Sequence, residues 1–251
     1  MNVQSLGVLM GVGAATFVAL PAHSADVDVA IAFAVDVSSS VDASTADMQR
    51  EGHAEALVAP EVLAAIARNY FGCVGITYFE WSSHGHLRNV LPWSTVCGLE
   101  DAKTAASIIL KSGSPTGRVG GDTSISFAID QGSLLLDQFP GAATRKIIDI
   151  SANGTNNDGL PVQQSRTQAI AKWYTINAIA VSPRLRGVKY ELASYFVANV
   201  IGGPNAFVLT PAAKGDYATA LRRKLVGEIS LSISRWEVDG AIYNYRQFSI
   251  E

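Results

Sequence analysis

Apolar positions follow two periodicities along the chain. From Val27 to Val35 they run almost without a break, which predicts a central strand buried on both faces. From Asp42 to Asn69 the spacing turns helical, with Ala46, Ala54, Leu57 and Val58 on one side. Pro60 suits a first helical position and opens a second piece, Pro60–Tyr70. Two strand-like runs, Val74–Trp81 and Leu87–Trp93, flank Ser82-Ser83-His84-Gly85-His86 and read as a hairpin. Leu99–Lys111 reads as a short helix, and Ser112–Asp122 as a Gly/Pro/Ser loop. Thr123–Phe139 is helical by spacing, with Ile125, Ala128, Ile129, Gly132, Leu135, Leu136 and Phe139 on one face. Strands at Arg145–Ser151, Tyr174–Val181 and Ala206–Leu209 then alternate with helices at Val162–Trp173, Lys189–Val200 and Lys214–Ser234. The tail, Trp236–Glu251, carries Tyr243, Tyr245 and Phe248 and is either an extra strand or a partner-binding end.

Strands alternating with helices predict an α/β fold. The expectation is a Rossmann-like, doubly wound, mostly parallel six-stranded sheet with one antiparallel edge strand and helices on both faces. Neither a repeat nor a linker between two cores interrupts the pattern, so one domain over 26–234 is expected, followed by a tail at 235–251.

Composition agrees with a packed core: 48% of residues are hydrophobic and 16% charged. The net charge of −3 and the lack of a basic face argue against nucleic acid as a partner. Residues 1–24 stand apart. Leu6–Leu20 is apolar or small and is followed by Pro21-Ala22-His23-Ser24-Ala25, the order of a signal-peptide core and its small-residue cleavage site. The segment lacks the usual Lys or Arg at its start, and an uncleaved anchor helix is the alternative. The apolar run is short for a span of ~20 residues. Cleavage, no membrane span in the mature chain, and a periplasmic or secreted monomer are therefore expected.

Cys73 and Cys97 are the only cysteines, and Gly85 lies midway between them. A hairpin turning at Gly85 sets them opposite each other, where an exported protein would bond them. Two reduced core thiols are the alternative.

The candidate chemistry lies where the first strand ends, at Asp36-Val37-Ser38-Ser39-Ser40. A buried carboxylate needs a partner, and a hard cation such as Mg²⁺ takes oxygen ligands while keeping positions open. An Asp/Ser turn capping the next helix accounts for the same residues. In an open α/β sheet, ligands sit beyond the carboxyl ends of strands where strand order reverses. If the first and fourth strands are neighbours, Gly120-Gly121-Asp122-Thr123-Ser124 and Asp149-Ile150-Ser151-Ala152-Asn153-Gly154 arrive at the same end.

These three segments resemble the metal-ion-dependent adhesion site (MIDAS) of the von Willebrand factor type A domain. Asp36, Ser38 and Ser40 match its Asp-x-Ser-x-Ser element, and Thr123 matches its threonine. Asn153-Gly154 stands where that family has Asp-Gly. The chain is more similar still to a family of exported bacterial proteins of unknown function with a type A-like domain. That likeness lies in Val35–Asp42, Tyr78-Phe-Glu-Trp81, Gly121-Asp-Thr-Ser-Ile125 and Ile148–Ser151 leading to Asn153–Asn157. The resemblance implies an ion held by Asp36, Ser38, Ser40, Thr123 and Asn153. Mg²⁺ is the first choice and Mn²⁺ or Ca²⁺ the alternatives, bound weakly because Asn153 carries no charge. It also implies an unidentified protein partner, bound through a metal-bridged carboxylate.

Neighbouring groups have simpler readings. Asp122 is expected to cap the helix after it, and Asp149 to pair with Arg145 or Lys146. His53 with Glu51 and Glu55 reads as a solvated helix face, and His84 and His86 as an exposed turn. Trp81 and Glu80 either pack against the helix layer or line an accessory surface. No nucleophile elbow or phosphate loop is present. The expected function is an exported binding module rather than an enzyme. A metal-assisted hydrolase using Asp122 or Asp149 as base, and a metal-free structural envelope protein, are the alternatives.

Overall fold

The structure is a computed structural model that describes residues 26–113, 120–181, 188–211, 213–230 and 243–244. The expected signal segment 1–24, the end of the last helix at 231–234 and all of the tail except 243–244 lie outside these residues.

The sheet is built on β1 (Val27–Asp36), with β2 (Val74–Trp81) parallel on one side and β4 (Ala143–Ala152) parallel on the other. β3 (Leu87–Val96) runs antiparallel to β2 at the edge. β5 (Thr175–Ala180) and β6 (Phe207–Leu209) continue in parallel beyond β4. These are the six expected strands. A two-residue β7 (Tyr243–Asn244) adds an antiparallel pairing beside β6, and the order is β3-β2-β1-β4-β5-β6-β7. The tail thus contributes the extra strand of its two readings.

Side-chain alternation along β1 divides the core between the two faces. Ala30, Ala32 and Ala34 pack with Phe79, Trp81, Ile148 and Ile150 beneath α4 (Ile125–Asp137), α5 (Val162–Ala171) and α6 (Val188–Asn199). Val29, Ile31, Phe33 and Val35 pack with Ile76, Tyr78 and Ile147 beneath α1 (Ala43–Leu57), α2 (Pro60–Ala67), α3 (Leu99–Lys111) and α7 (Tyr217–Ile229). Small residues on one face and large ones on the other let β1 lie buried along its whole length. Gly52 admits α7 to the surface of α1, since a Cβ there would lie 2.5 Å from the Tyr217 ring.

The hairpin turns at Gly85, whose φ of 82° favours glycine. Its register pairs Val74 with Val96, which sets Cys73 opposite Cys97, and the two are joined in a disulfide.

α4 begins at Ile125 rather than at Thr123. The backbone of Thr123 and Ser124 is already engaged elsewhere. Thr123 N–H donates to Asn157 Oδ1 at 2.7 Å, Asn157 N–H donates to Thr123 O at 3.0 Å, and Ser124 N–H donates to Ser82 O at 3.0 Å. Ser124 occupies the N-cap position, so Asp122 does not cap this helix. At α1 the N-cap is Asp42, outside the Asp36–Ser40 turn, and it accepts from Thr45 N–H at 2.7 Å.

Candidate metal-binding site

β1 departs from its neighbours in opposite directions through the chain, to β2 on one side and β4 on the other, so strand order reverses at its carboxyl end. Asp36 is the last residue of β1 and is fully buried. One carboxylate oxygen, Oδ1, accepts the Ser38 N–H at 2.7 Å. The other, Oδ2, is buried without a hydrogen-bond partner. Burial pushes this carboxyl up to about 6, against the lowering effect of its Ser38 hydrogen bonds.

The hydroxyls gather around Ser38. Thr123 Oγ1 donates to Ser38 Oγ at 3.1 Å, and the Ser38 and Ser40 hydroxyls lie 3.2 Å apart. Ser40 Oγ donates to Asn153 Oδ1 at 2.8 Å, and Asn153 Nδ2 donates back to Ser40 O at 3.1 Å. All five sequence-predicted residues are therefore brought into one cluster by three loops. Ser39 ties the first loop to the second, its Oγ donating to Gly121 O at 2.6 Å. Asn156 and Asn157 tie the second to the third: Asn156 Oδ1 accepts from Ser126 N–H at 2.9 Å, and Asn157 accepts from Thr123 as above. Gly154 leaves room beside the threonine, where a Cβ would lie 3.7 Å from Thr123 Oγ1.

Tested against a hard cation, this donor set fits. It offers one carboxylate with a buried unpartnered oxygen, three hydroxyls and an amide oxygen, with Ser40 and Asn153 toward solvent. Among the described residues no three His, Cys, Asp or Glu side chains converge, so a softer metal has no comparable site there. His84 and His86 are exposed in the hairpin turn, as expected. A cleft of about 450 Å³ lined by Arg145, Lys146, Trp173 and Glu228 lies at the amino ends of β4 to β6, opposite Asp36.

A support layer lies beneath the cluster and escapes the sequence reading. Gln49 of α1 donates its Nε2–H to Asp36 O at 3.0 Å and accepts from Ser151 Oγ at 2.8 Å. Ser151 Oγ also lies 2.9 Å from Tyr217 OH of α7. His53 is buried rather than solvated. Its Nδ1–H donates to Gln49 O at 2.7 Å, and its ring sits 5.2 Å from Phe33 and 5.0 Å from Tyr78. Burial lowers its pKa to about 4. The three-residue repeat of polar side chains through this part of α1 hides the histidine in sequence, because α7 covers that face only in the folded molecule.

Two buried ionic groups flank the sheet. Glu80 accepts from Arg50 Nε at 2.8 Å and from Arg88 Nε at 2.9 Å, and Arg88 also donates to Gly113 O at 2.8 Å beyond α3. Trp81 and Glu80 thus belong to the packed interior. Asp149 pairs with Lys224 of α7 rather than with Arg145 or Lys146. The contact is an ion pair at 2.6 Å without hydrogen-bond alignment. Arg145 and Lys146 cannot serve because they reach helix-end carbonyls, Arg145 donating to Glu228 O at 2.7 Å and Lys146 to Leu136 O at 2.6 Å. Lys224 Nζ also donates to Glu228 Oε1 at 2.5 Å, where burial and then Asp149 push the acid up to about 8. The signal available in sequence is a Lys–Glu pair at i,i+4 between Leu221, Leu225 and Ile229.

A mostly parallel sheet with this strand order, and a hydroxyl-rich cluster at its switch point, define a von Willebrand factor type A fold. Solved structures agree. Mussel byssus proximal thread matrix protein 1, in a form with a zinc-occupied MIDAS motif, is 19% identical over 80% of this chain and 48% of its own, with a TM-score of 0.56. A von Willebrand factor type A protein from Catenulispora acidiphila is 14% identical over 81% and 43%, with a TM-score of 0.56. The pilus adhesin SpaC of Lactobacillus rhamnosus GG is 14% identical over 81% and 30%, with a TM-score of 0.57. The chain spans less than half the length of each. No curated protein matches it. Over residues 26–233 it matches, and belongs to, the family described as "Protein of unknown function (DUF1194)".

Proposed function

We propose that this protein is an exported binding module that holds a divalent cation at Asp36, Ser38, Ser40, Thr123 and Asn153 and uses it to recognise a carboxylate on a protein partner. The observation that carries the reading is the gathering of the Ser40 and Thr123 hydroxyls around that of Ser38, whose N–H binds the buried Asp36 carboxylate, while Asp36 Oδ2 has no partner. Mg²⁺ is the first candidate, with Mn²⁺ or Ca²⁺ as alternatives, since neutral oxygens and few charges suit hard cations. The bound ion would supply an electrophilic site for the partner's oxygen.

The chain's own residues prepare that site. Ser38 N–H orients the carboxylate, Gln49 fixes the backbone behind it, and the Ser40–Asn153 pair joins the first and third loops. One observation supports a binding role over hydrolysis: Asp149, one of the two acids that could act as a base, is held by Lys224. The zinc-occupied motif of the mussel protein and the adhesin role of SpaC point the same way. The disulfide suits an oxidising, extracytoplasmic compartment. Among the described residues no helix is long and apolar enough to cross a membrane.

Calorimetric titration with Mg²⁺ and Mn²⁺ tests the reading. Saturable binding that disappears in Asp36→Ala is expected. No heat and no thermal shift with either ion overturns it.

A further inference from the structure

We infer that the cleft at the amino ends of β4 to β6 is a second binding site, for a small carboxylate carried on a ring. The ring lies on the Trp173 indole and the carboxylate faces Arg145 and Lys146. The cleft is at the opposite end of the sheet from Asp36, and this site does not depend on the cation-site reading.

α5 ends in a hydrogen-bonded cap: Trp173 N–H donates to Ile170 O at 2.8 Å and Tyr174 N–H to Ala169 O at 3.2 Å. The cap puts Trp173 at a φ of 63°. Glycine is the usual residue at such a position, because a side chain there strains the backbone. Trp173 is 83% exposed, so burial of its indole does not offset that strain. Asn205, at a φ of 57°, is the other non-glycine residue with a positive φ among the described residues, and both line this cleft. Gly203 seats the loop that carries Asn205, since a Cβ there would collide with Tyr174 O. Left-handed residues gathered on one opening mark a place where a ligand, not packing, selects the side chains. The volume of about 450 Å³ suits a small molecule.

Charge selects the ligand. Arg145 lines the cleft with its Nε–H buried and without a partner, while its other nitrogens reach Glu228 O and Ile229 O. Lys146 donates to Leu136 O at 2.6 Å and keeps donors to spare. The acids nearby are committed elsewhere. Asp137 holds Lys172 at 2.6 Å, and Asp28 accepts from the Phe71 and Cys73 N–H groups at 3.0 and 3.4 Å. Glu228 shares Lys224 with Asp149, and burial pushes it up to about 8, so it brings no charge to the cleft near pH 7. Two cations beside an exposed indole therefore favour an anion with a flat or apolar face. A carboxylate fits the planar guanidinium edge, and a ring fits the indole.

Calorimetric titration of the full chain, stripped of divalent ions on a chelating resin, tests this with benzoate and glucuronate, each against its neutral amide, benzamide or glucuronamide. At least one acid should bind, about tenfold or more tightly than its amide, and which acid binds tells an aromatic ring from a sugar ring. Trp173→Gly should weaken that binding about tenfold and melt at the same or a higher temperature, because glycine suits the cap. The variant therefore separates ligand binding from folding. The site is overturned if neither acid binds, if acid and amide bind alike, or if a folded Trp173→Gly binds as the wild type does. Binding that appears only when Mg²⁺ is added back also overturns it, and assigns the carboxylate to the Asp36 end instead.

Discussion

Ser40 and Asn153 stand 113 residues apart and hold each other by two hydrogen bonds, one into and one out of the Asn153 amide. The pair fastens the loop after β1 to the loop after β4. Thr123 and Asn157 fasten the loop before α4 to the same place. The cluster is thus held together by bonds that run from loop to loop.

Asp36→Asn should stabilise the protein in chelator. The carboxyl titrates at about 6 in the folded protein and at 3.8 in the unfolded reference. Its contribution is therefore fully present below the unfolded value and is lost as pH rises through 6. Above pH 6 the metal-free wild type should be about 3 kcal/mol less stable than Asp36→Asn. Urea unfolding of both proteins across pH 4 to 7 checks this. Added Mg²⁺ should restore stability to the wild type alone, and its affinity should fall about tenfold per unit of pH below 6.

Lys224→Met should cost about 3–5 kcal/mol, since it leaves Asp149 and Glu228 buried without their cation. Adding Asp149→Asn and Glu228→Gln should recover part of that loss. Denaturant melts of the single and triple variants measure both effects, and an unchanged midpoint in the single variant would show the triad to be unimportant for stability.

His53→Phe should flatten the acid limb of the stability profile. The imidazole titrates at about 4 when folded and at 6.5 otherwise, because burial disfavours its charged form. Its depressed value means stability is lost as pH falls from 6.5 toward 4, by about 3 kcal/mol relative to the variant. The difference between the two profiles isolates the histidine from Asp36 and Glu228, which titrate with the opposite sign.

Replacing Cys73 and Cys97 by serine should destabilise the chain by about 3 kcal/mol, as expected for a closed loop of this size. The hairpin register between Val74 and Val96 should persist, since the strand pairing does not depend on the bond. Thermal melts with and without reductant, with the serine variant as control, check the prediction.

The positions legible in the sequence share a local cause. The apolar run at Val27–Val35, the Pro60 helix start and the Gly85 turn each follow from backbone preference or burial period acting over a few residues. The cluster residues Asp36, Ser38, Ser40, Thr123 and Asn153 were legible because strand ends in a parallel sheet converge at a switch point. His53, Lys224 and Asp149 were not. Their environments are made by α7 lying on α1 and on the sheet, and a polar residue on a helix reads the same whether a distant helix covers it or water does.

Sequence alone determined the order of elements, the sheet type and which oxygen-bearing side chains could meet at the end of β1, because each depends on local periodicity and side-chain chemistry. Tertiary structure decided which charges are buried together, why α4 starts after Thr123, and that the Asn153 amide is used at both ends. Those outcomes depend on contacts between segments up to 113 residues apart, whose energies are settled only when the loops meet.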